Sequence, residues 1–140
     1  MEHKTYSTLP PEAILIRREV FMEEQGFQNE FDDIDSMATH LVLFDGDTPA
    51  AVCRFFPGAE PGVYIFGRLA VRKDYRGRHL GSIVLKAAED AVLAAGGSAI
   101  HLHAQVQASP FYQKQGYAEY GPMDYDEHTP HIWMSKHLTH

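Results

Sequence analysis

The spacing of apolar and polar positions divides the chain into helices and strands. The clearest segment begins at Leu80, where Leu80, Ile83, Val84, Ala87, Ala88, Ala91 and Val92 recur at steps of three and four. Lys86, Glu89 and Asp90 fall on the opposite side. That spacing lines one face of an α-helix, and Gly96-Gly97 supplies its stop. An earlier helix is predicted over residues 10–25, with Pro10-Pro11 suited to its first turn and Gly26 to its end. A polar, acidic run over residues 28–36 has room for a short helical turn. Residues 40–44, 50–56 and 63–71 read as strands. The turn formers Asp45-Gly46-Asp47 and Pro57-Gly58 separate them, which predicts antiparallel neighbours. After the long helix come a strand over residues 99–106, a short helix over 110–115 closed by Gly116, and two late strands around 117–120 and 131–136. Tyr6 falls where an additional first strand would lie. This order predicts a mixed α/β (α+β) fold with a mostly antiparallel sheet and helices on both faces, not a doubly wound nucleotide fold.

Bulk properties narrow the function classes. With 140 residues, no internal repeat and no low-complexity linker, one domain over residues 1–140 is expected. The net charge of −7 argues against a non-specific nucleic-acid binder, which needs clustered Lys and Arg against phosphates. It favours basic or amine-bearing partners instead. Cys53 is the lone cysteine, so an intrachain disulfide framework and a multi-cysteine zinc site are both excluded. The opening residues show no basic stretch followed by an apolar one, and no apolar run is long enough to span a bilayer. The cytoplasm is the expected location, with no membrane partner.

The first candidate for chemistry joins the third strand to the long helix. A helix start leaves four backbone N–H groups unpaired and carries partial positive charge. Gly77 and Gly81 let the backbone approach an anion, and Arg72, Lys73, Arg76 and Arg78 add charge. Such a turn suits a diphosphate; a plain turn with solvated basic residues is the alternative.

The run Arg76-Gly77-Arg78-His79-Leu80-Gly81 resembles the Q/R-x-x-G-x-G/A signature of the GNAT superfamily of N-acetyltransferases, with His79 where the middle glycine is usual. Val20-Phe21-Met22-Glu23-Glu24-Gln25, Asp33-Ile34-Asp35 and His40 are similar to the ElaA and YjcF-like branch of that superfamily. So are Phe66-Gly67-Arg68-Leu69-Ala70-Val71, Ala104-Gln105, Phe111-Tyr112-Gln113 and Pro130-His131-Ile132-Trp133-Met134. The resemblance implies the acyl-CoA N-acyltransferase fold, with the sheet splayed between the strand ending near Val71 and the one ending near Val106. It implies acetyl-CoA as cofactor, its pyrophosphate held by the turn of Arg76, Gly77, Arg78, His79, Leu80, Gly81 and Ser82. Leu69, Ala70 and Val71 would pair with the pantetheine arm, the Val71 amide facing the acetyl carbonyl. Phe111 would join the cofactor contacts, and Tyr112 would reach the thiol sulfur as general acid. A homodimer is common among such folds.

Direct transfer to an amine requires three things. The ammonium must lose its proton, its ordinary pKa being about 10.4. Donors must stabilise the oxyanion, and the departing thiolate benefits from a proton. A tyrosine such as Tyr112 is neutral at pH 7 with a proton to give; packing of the short helix is its structural alternative. For the base, Arg17, Val20, Phe21 and Glu24 share one helical face, so Arg17 and Glu24 are candidates to border an acceptor pocket. An ion pair with Arg54 or Arg68 is the competing reading. His131 is the second candidate base, because histidine titrates near neutrality. Asp35, His40, Arg68 and Gln105 complete the candidate contacts to a small-molecule or peptide amine. Asp33 belongs to the same acidic run.

Other chemistries are weaker. His101 and His103 alternate along one strand face, as a metal pair would, but zinc needs a third protein ligand and none is fixed; no metal is expected. Cys53 inside a strand reads as a buried hydrophobe, not an acyl-accepting nucleophile. A non-catalytic acyl-CoA sensor or scaffold on the same fold is the alternative function.

Overall fold

The computed structural model describes residues 1–139. Seven strands and three α-helices alternate as β1 (Glu2–Tyr6), α1 (Pro11–Arg17), β2 (Thr39–Asp45), β3 (Thr48–Pro57), β4 (Val63–Val71), α2 (Leu80–Ala94), β5 (Ala99–Gln105), α3 (Ser109–Lys114), β6 (Ala118–Asp126) and β7 (Thr129–His137). The strand order in the sheet is β1-β2-β3-β4-β5-β7-β6. The pairs β1–β2, β2–β3, β5–β7 and β6–β7 are antiparallel, and β4–β5 is parallel. This is the mixed, mostly antiparallel sheet expected. The β4–β5 ladder covers Val63↔Ala99 to Phe66↔Leu102, although β4 continues to Val71 and β5 to Gln105. No helix among the described residues is long and apolar enough to cross a membrane.

The chain forms two compact units. The first comprises Met1–Phe56 and Arg68–Ala88, and the second Pro57–Gly67 and the chain from Glu89 onward. In the first, Ala13 and Ile16 of α1 pack with Val20, Phe21, Phe27, Val42, Phe44, Val52 and Ala70. Fully buried side chains such as Ile16 and Val42 each contribute about 1.5–3 kcal/mol relative to exposure. In the second, Ile100, Leu102, Ala104 and Met134 are buried, so alternate residues of β5, with Met134 of β7, form its apolar layer.

Two elements differ from expectation, and the additional first strand at Tyr6 is found. The helix predicted over residues 10–25 is α-helical only to Arg17, and Arg18–Glu24 is a π-helical segment. Gln25 N–H reaches back five residues to the Val20 carbonyl (3.1 Å) before Gly26 ends the segment at φ +79°. β1 is present in full, paired with β2 from Glu2↔Phe44 to Tyr6↔His40. β6 runs well past Tyr120 because its ladder with β7 shifts register between Tyr120 and Asp124. All nine of its residues are exposed, so no apolar alternation marked the second half.

Candidate functional site

The β4–α2 turn leaves part of its backbone donors unpaired. Arg72 N–H bonds the Ala50 carbonyl (2.9 Å), and Tyr75 N–H bonds that of Arg72 (2.9 Å). The amides of Gly77, Arg78, His79, Leu80 and Gly81 then donate to no other group among the described residues. Ile83 N–H donates to the His79 carbonyl at 3.3 Å. Gly77 lies at φ +81° and His79 at φ +60°. A histidine there adopts the left-handed backbone that glycine adopts freely, so the turn keeps its shape without the usual middle glycine. Five consecutive free amides at the start of a fifteen-residue helix have the donor chemistry for a phosphate group.

The basic side chains of this turn are shared with acidic partners. Arg76 grips Glu24 with both nitrogens (2.6 and 2.7 Å) and donates to the Val71 carbonyl (3.0 Å). That hydrogen bond, with the charge of Arg76, holds the Glu24 carboxyl below its ordinary range. Arg72 is paired with Glu19 (3.0 Å), and Arg78 lies over the Tyr75 ring at 5.2 Å. Asp45, Thr48, Arg72, Asp74, Tyr75 and Arg78 line a depression of about 390 Å³. Glu24 therefore does not share a face with Arg17. The helical period placed them together, but the wider winding of the π segment turns Glu24 to solvent while Val20 and Phe21 stay in the core.

Arg17 instead anchors a buried charge cluster. Its guanidinium donates to Glu30 Oε2 (2.8 Å), to both Asp35 oxygens (2.8 and 3.1 Å) and to the Glu30 carbonyl (3.1 Å). Arg54 bonds Asp32 (2.6 and 3.0 Å) and Asp35 (2.9 Å). Arg68 bonds the Glu30 carbonyl (3.0 and 3.2 Å) and pairs with Glu30 Oε2 at 2.8 Å. His40 Nε2–H donates to the Asp35 carbonyl (2.9 Å). Burial raises the Asp35 carboxyl, but Arg17, the Asp32 amide and Arg54 outweigh it and hold the group at about 2. Burial likewise pushes His40 down, and it pushes Glu30 up against the pull of Arg68 and Arg17. Arg68 reaches Glu30 from a left-handed backbone, φ +53°, next to Gly67 inside β4. That conformation costs about 1–2 kcal/mol for a non-glycine residue, and its guanidinium contacts offset it. Arg17, Asp35, His40 and Arg68 are thus brought together with Arg54, the ion-pair candidate, and with Glu30 and Asp32 as members not singled out from the sequence.

In the second unit Tyr112 is buried on α3, with its ring edge-on to Phe111 (5.0 Å) and Tyr117 (5.9 Å). Tyr117 donates to Glu89 (2.8 Å), which Lys136 also grips (3.1 Å). Burial, then the Glu89 charge, pushes the Tyr117 hydroxyl far up. His131 is buried, and its Nδ1–H donates to the Thr129 carbonyl (2.9 Å). It stands opposite Gln105 in the β5–β7 register, and Gln107 bonds the Gln105 side-chain carbonyl. His103 ties this region together through Asp124, His131 and Trp133, a grouping missed because Asp124 lay beyond the predicted end of its strand. His101 bonds the Tyr120 hydroxyl (2.8 Å). Cys53 is buried in β3, and burial pushes its thiol well above the ordinary range.

A model of the acetyltransferase (GNAT) domain matches residues 6–138. The uncharacterized N-acetyltransferase YjcF of Bacillus subtilis is 34% identical over 128 residues, covering 89% of this chain and 90% of that protein. The crystal structure of a candidate N-acetyltransferase from Lactobacillus plantarum superposes with a TM-score of 0.90 at 30% identity, over 99% of this chain and 98% of the other. Escherichia coli ElaA shares the fold at a TM-score of 0.85 and 21% identity, over 96% and 98% of the two chains.

Proposed function

Because this chain belongs to the GNAT acetyltransferase family, we propose that it transfers the acetyl group of acetyl-CoA to an amine. The observation that carries the reading is the row of unpaired amides from Gly77 to Gly81, opened by left-handed Gly77 and His79. These would hold the pyrophosphate with Arg76, Arg78 and Ser82, and Leu69, Ala70 and Val71 would receive the pantetheine arm as a strand does. The family match runs without interruption through both units, from residue 6 to 138, which supports reading them as one catalytic domain.

Transfer is direct, from a complex holding both substrates. Cys53 is buried with its thiol pushed up, so it is a poor nucleophile for an acyl-enzyme. Tyr112 would protonate the departing thiolate, with Phe111 beside it against the cofactor. Glu24 is weakened as a base because Arg76 stabilises its ionised form. The proton of the acceptor ammonium then falls to an imidazole, His131 or a neighbour. Arg17, Asp35, His40 and Arg68 fix the shape of residues 30–35, and Gln105 stands opposite His131.

Tyr112→Phe tests the assignment. Turnover, followed as thiol release from acetyl-CoA with an amine panel, should fall roughly 10²-fold. Thermal stabilisation by coenzyme A should stay near wild type. Unchanged turnover would refute the tyrosine role, and a chain that coenzyme A does not stabilise would refute the transferase reading.

A further inference from the structure

One face of the second unit collects rings and a carboxylate. The registers His103↔Trp133, Gln105↔His131, Tyr120↔Trp133 and Asp124↔His131 put these side chains on the same side of β5, β7 and β6. The opposite side of β5 carries Ile100, Leu102 and Ala104, all buried. His103 is the hub. Its Nε2 lies 2.6 Å from Asp124 Oδ1. Its ring stacks on Trp133 (4.9 Å, 23°) and tilts against His131 (4.7 Å, 34°). The carboxylate accepts, so Nε2 carries the proton and a neutral His103 has its lone pair on Nδ1. Among the described residues Nδ1 has no partner. His103 is 27% exposed and Asp124 55%, and Tyr120 is also exposed.

We propose that this face is the acceptor site: it binds a primary ammonium borne on an apolar or aromatic group, and His103 Nδ1 takes its proton. The inference rests on the transferase reading above and deepens it. Flat rings offer apolar area and cation–π attraction, and Asp124 adds a negative charge at the rim. Glu60 lies close enough to Tyr120 for its charge to be felt there. Asp124 fixes the tautomer of His103 and, with the Trp133 face, stabilises the imidazolium that forms. The balance is simple. The ammonium gives one proton to His103, and the freed lone pair forms the C–N bond. The C–S bond breaks with its electrons on sulfur, which takes a proton from Tyr112. The second proton lost from the attacking nitrogen restores the tyrosine, and His103 passes its own to solvent. The titratable groups facing His103 are Asp124 and Tyr120 on β6, His131 on β7 and His101 on β5, with Glu60 near Tyr120.

Trp133 is the sole tryptophan of the chain, so its emission reports on this face. Benzylamine is the probe and benzyl alcohol its uncharged counterpart. Benzylamine should change the emission saturably and the alcohol should not, and Asp124→Asn should raise the half-saturation roughly ten-fold, about 1.4 kcal/mol. In thiol release with benzylamine, His103→Asn should lower kcat roughly 10²-fold at pH 7 with KM little changed. That deficit should close towards about pH 10, where an alkylamine sheds its own proton. A merely structural histidine would leave a deficit independent of pH. No saturable change, equal response to the alcohol, an unaffected Asp124→Asn, no transfer to bound benzylamine, or a pH-independent deficit would each overturn the proposal. Stabilisation by acetyl-CoA is measured on the same samples. Its loss in the wild type refutes the transferase reading alone, since the benzylamine titration reads the face without acetyl-CoA.

Discussion

Arg17, Glu30, Asp35 and Arg54 of the first unit meet with almost no solvent contact, whereas His103 and Asp124 of the second meet half open to water. Both groupings use short hydrogen bonds between charged or titratable side chains. The difference lies in what burial does to them. Dehydrated charges that satisfy one another fix the chain between Glu30 and Asp35 and have little capacity left for an incoming molecule. A half-exposed imidazole held by one carboxylate keeps a nitrogen available. Charged residues in a small fold are thus divided between architecture and chemistry by exposure more than by type.

The sharpest break of this contrast is Arg17→Met. Removing this cation leaves Glu30 with Arg68 alone and Asp35 with Arg54 alone, and urea denaturation should show a loss of about 3 kcal/mol. His103→Asn should cost less than about 1 kcal/mol in the same measurement. Next comes acidity. The folded-state Asp35 carboxyl is held at about 2, below its ordinary value of about 3.9. Its contribution is therefore complete above about pH 4 and disappears as pH falls towards 2, a loss of about 2–3 kcal/mol. Denaturation midpoints taken between pH 5 and 2 should trace that window, and Asp35→Asn should flatten it. A smaller effect is expected at the turn. His79→Gly relieves a left-handed histidine and should stabilise by about 1 kcal/mol, whereas Gly77→Ala should cost about as much. The smallest is Glu24→Gln, which removes an exposed pair and should shift stability within about 0.5 kcal/mol. A large loss there would mean that exposure does not separate the two kinds of cluster.

Much of this was legible from spacing. The 3.6-residue recurrence from Leu80 to Val92 gave α2, and the alternation along residues 99–106 gave β5, because each pattern has one buried face. The glycine-bearing turn and its family signature led directly to the unpaired amides. What failed depended on long-range geometry. A π-helical segment has no signal in apolar spacing, so Glu24 was placed with Arg17 when Arg76, fifty-two positions away, holds it. Glu30 and Asp32 sit in a run that reads as a solvated loop until three guanidinium groups are brought over it. Asp124 lies past Gly121 at φ +74°, where a register shift re-aims β6 towards His131.

The burial of Cys53 has a practical consequence. Its side chain sits inside β3 with 2% exposed, and it is the only sulfhydryl the polypeptide owns. A chromogenic disulfide reagent added to native protein should find nothing to react with quickly. In the proposed thiol-release assay every equivalent of colour would then count thiol that the protein itself did not supply, and a sudden protein-derived signal would instead announce that the strand had opened.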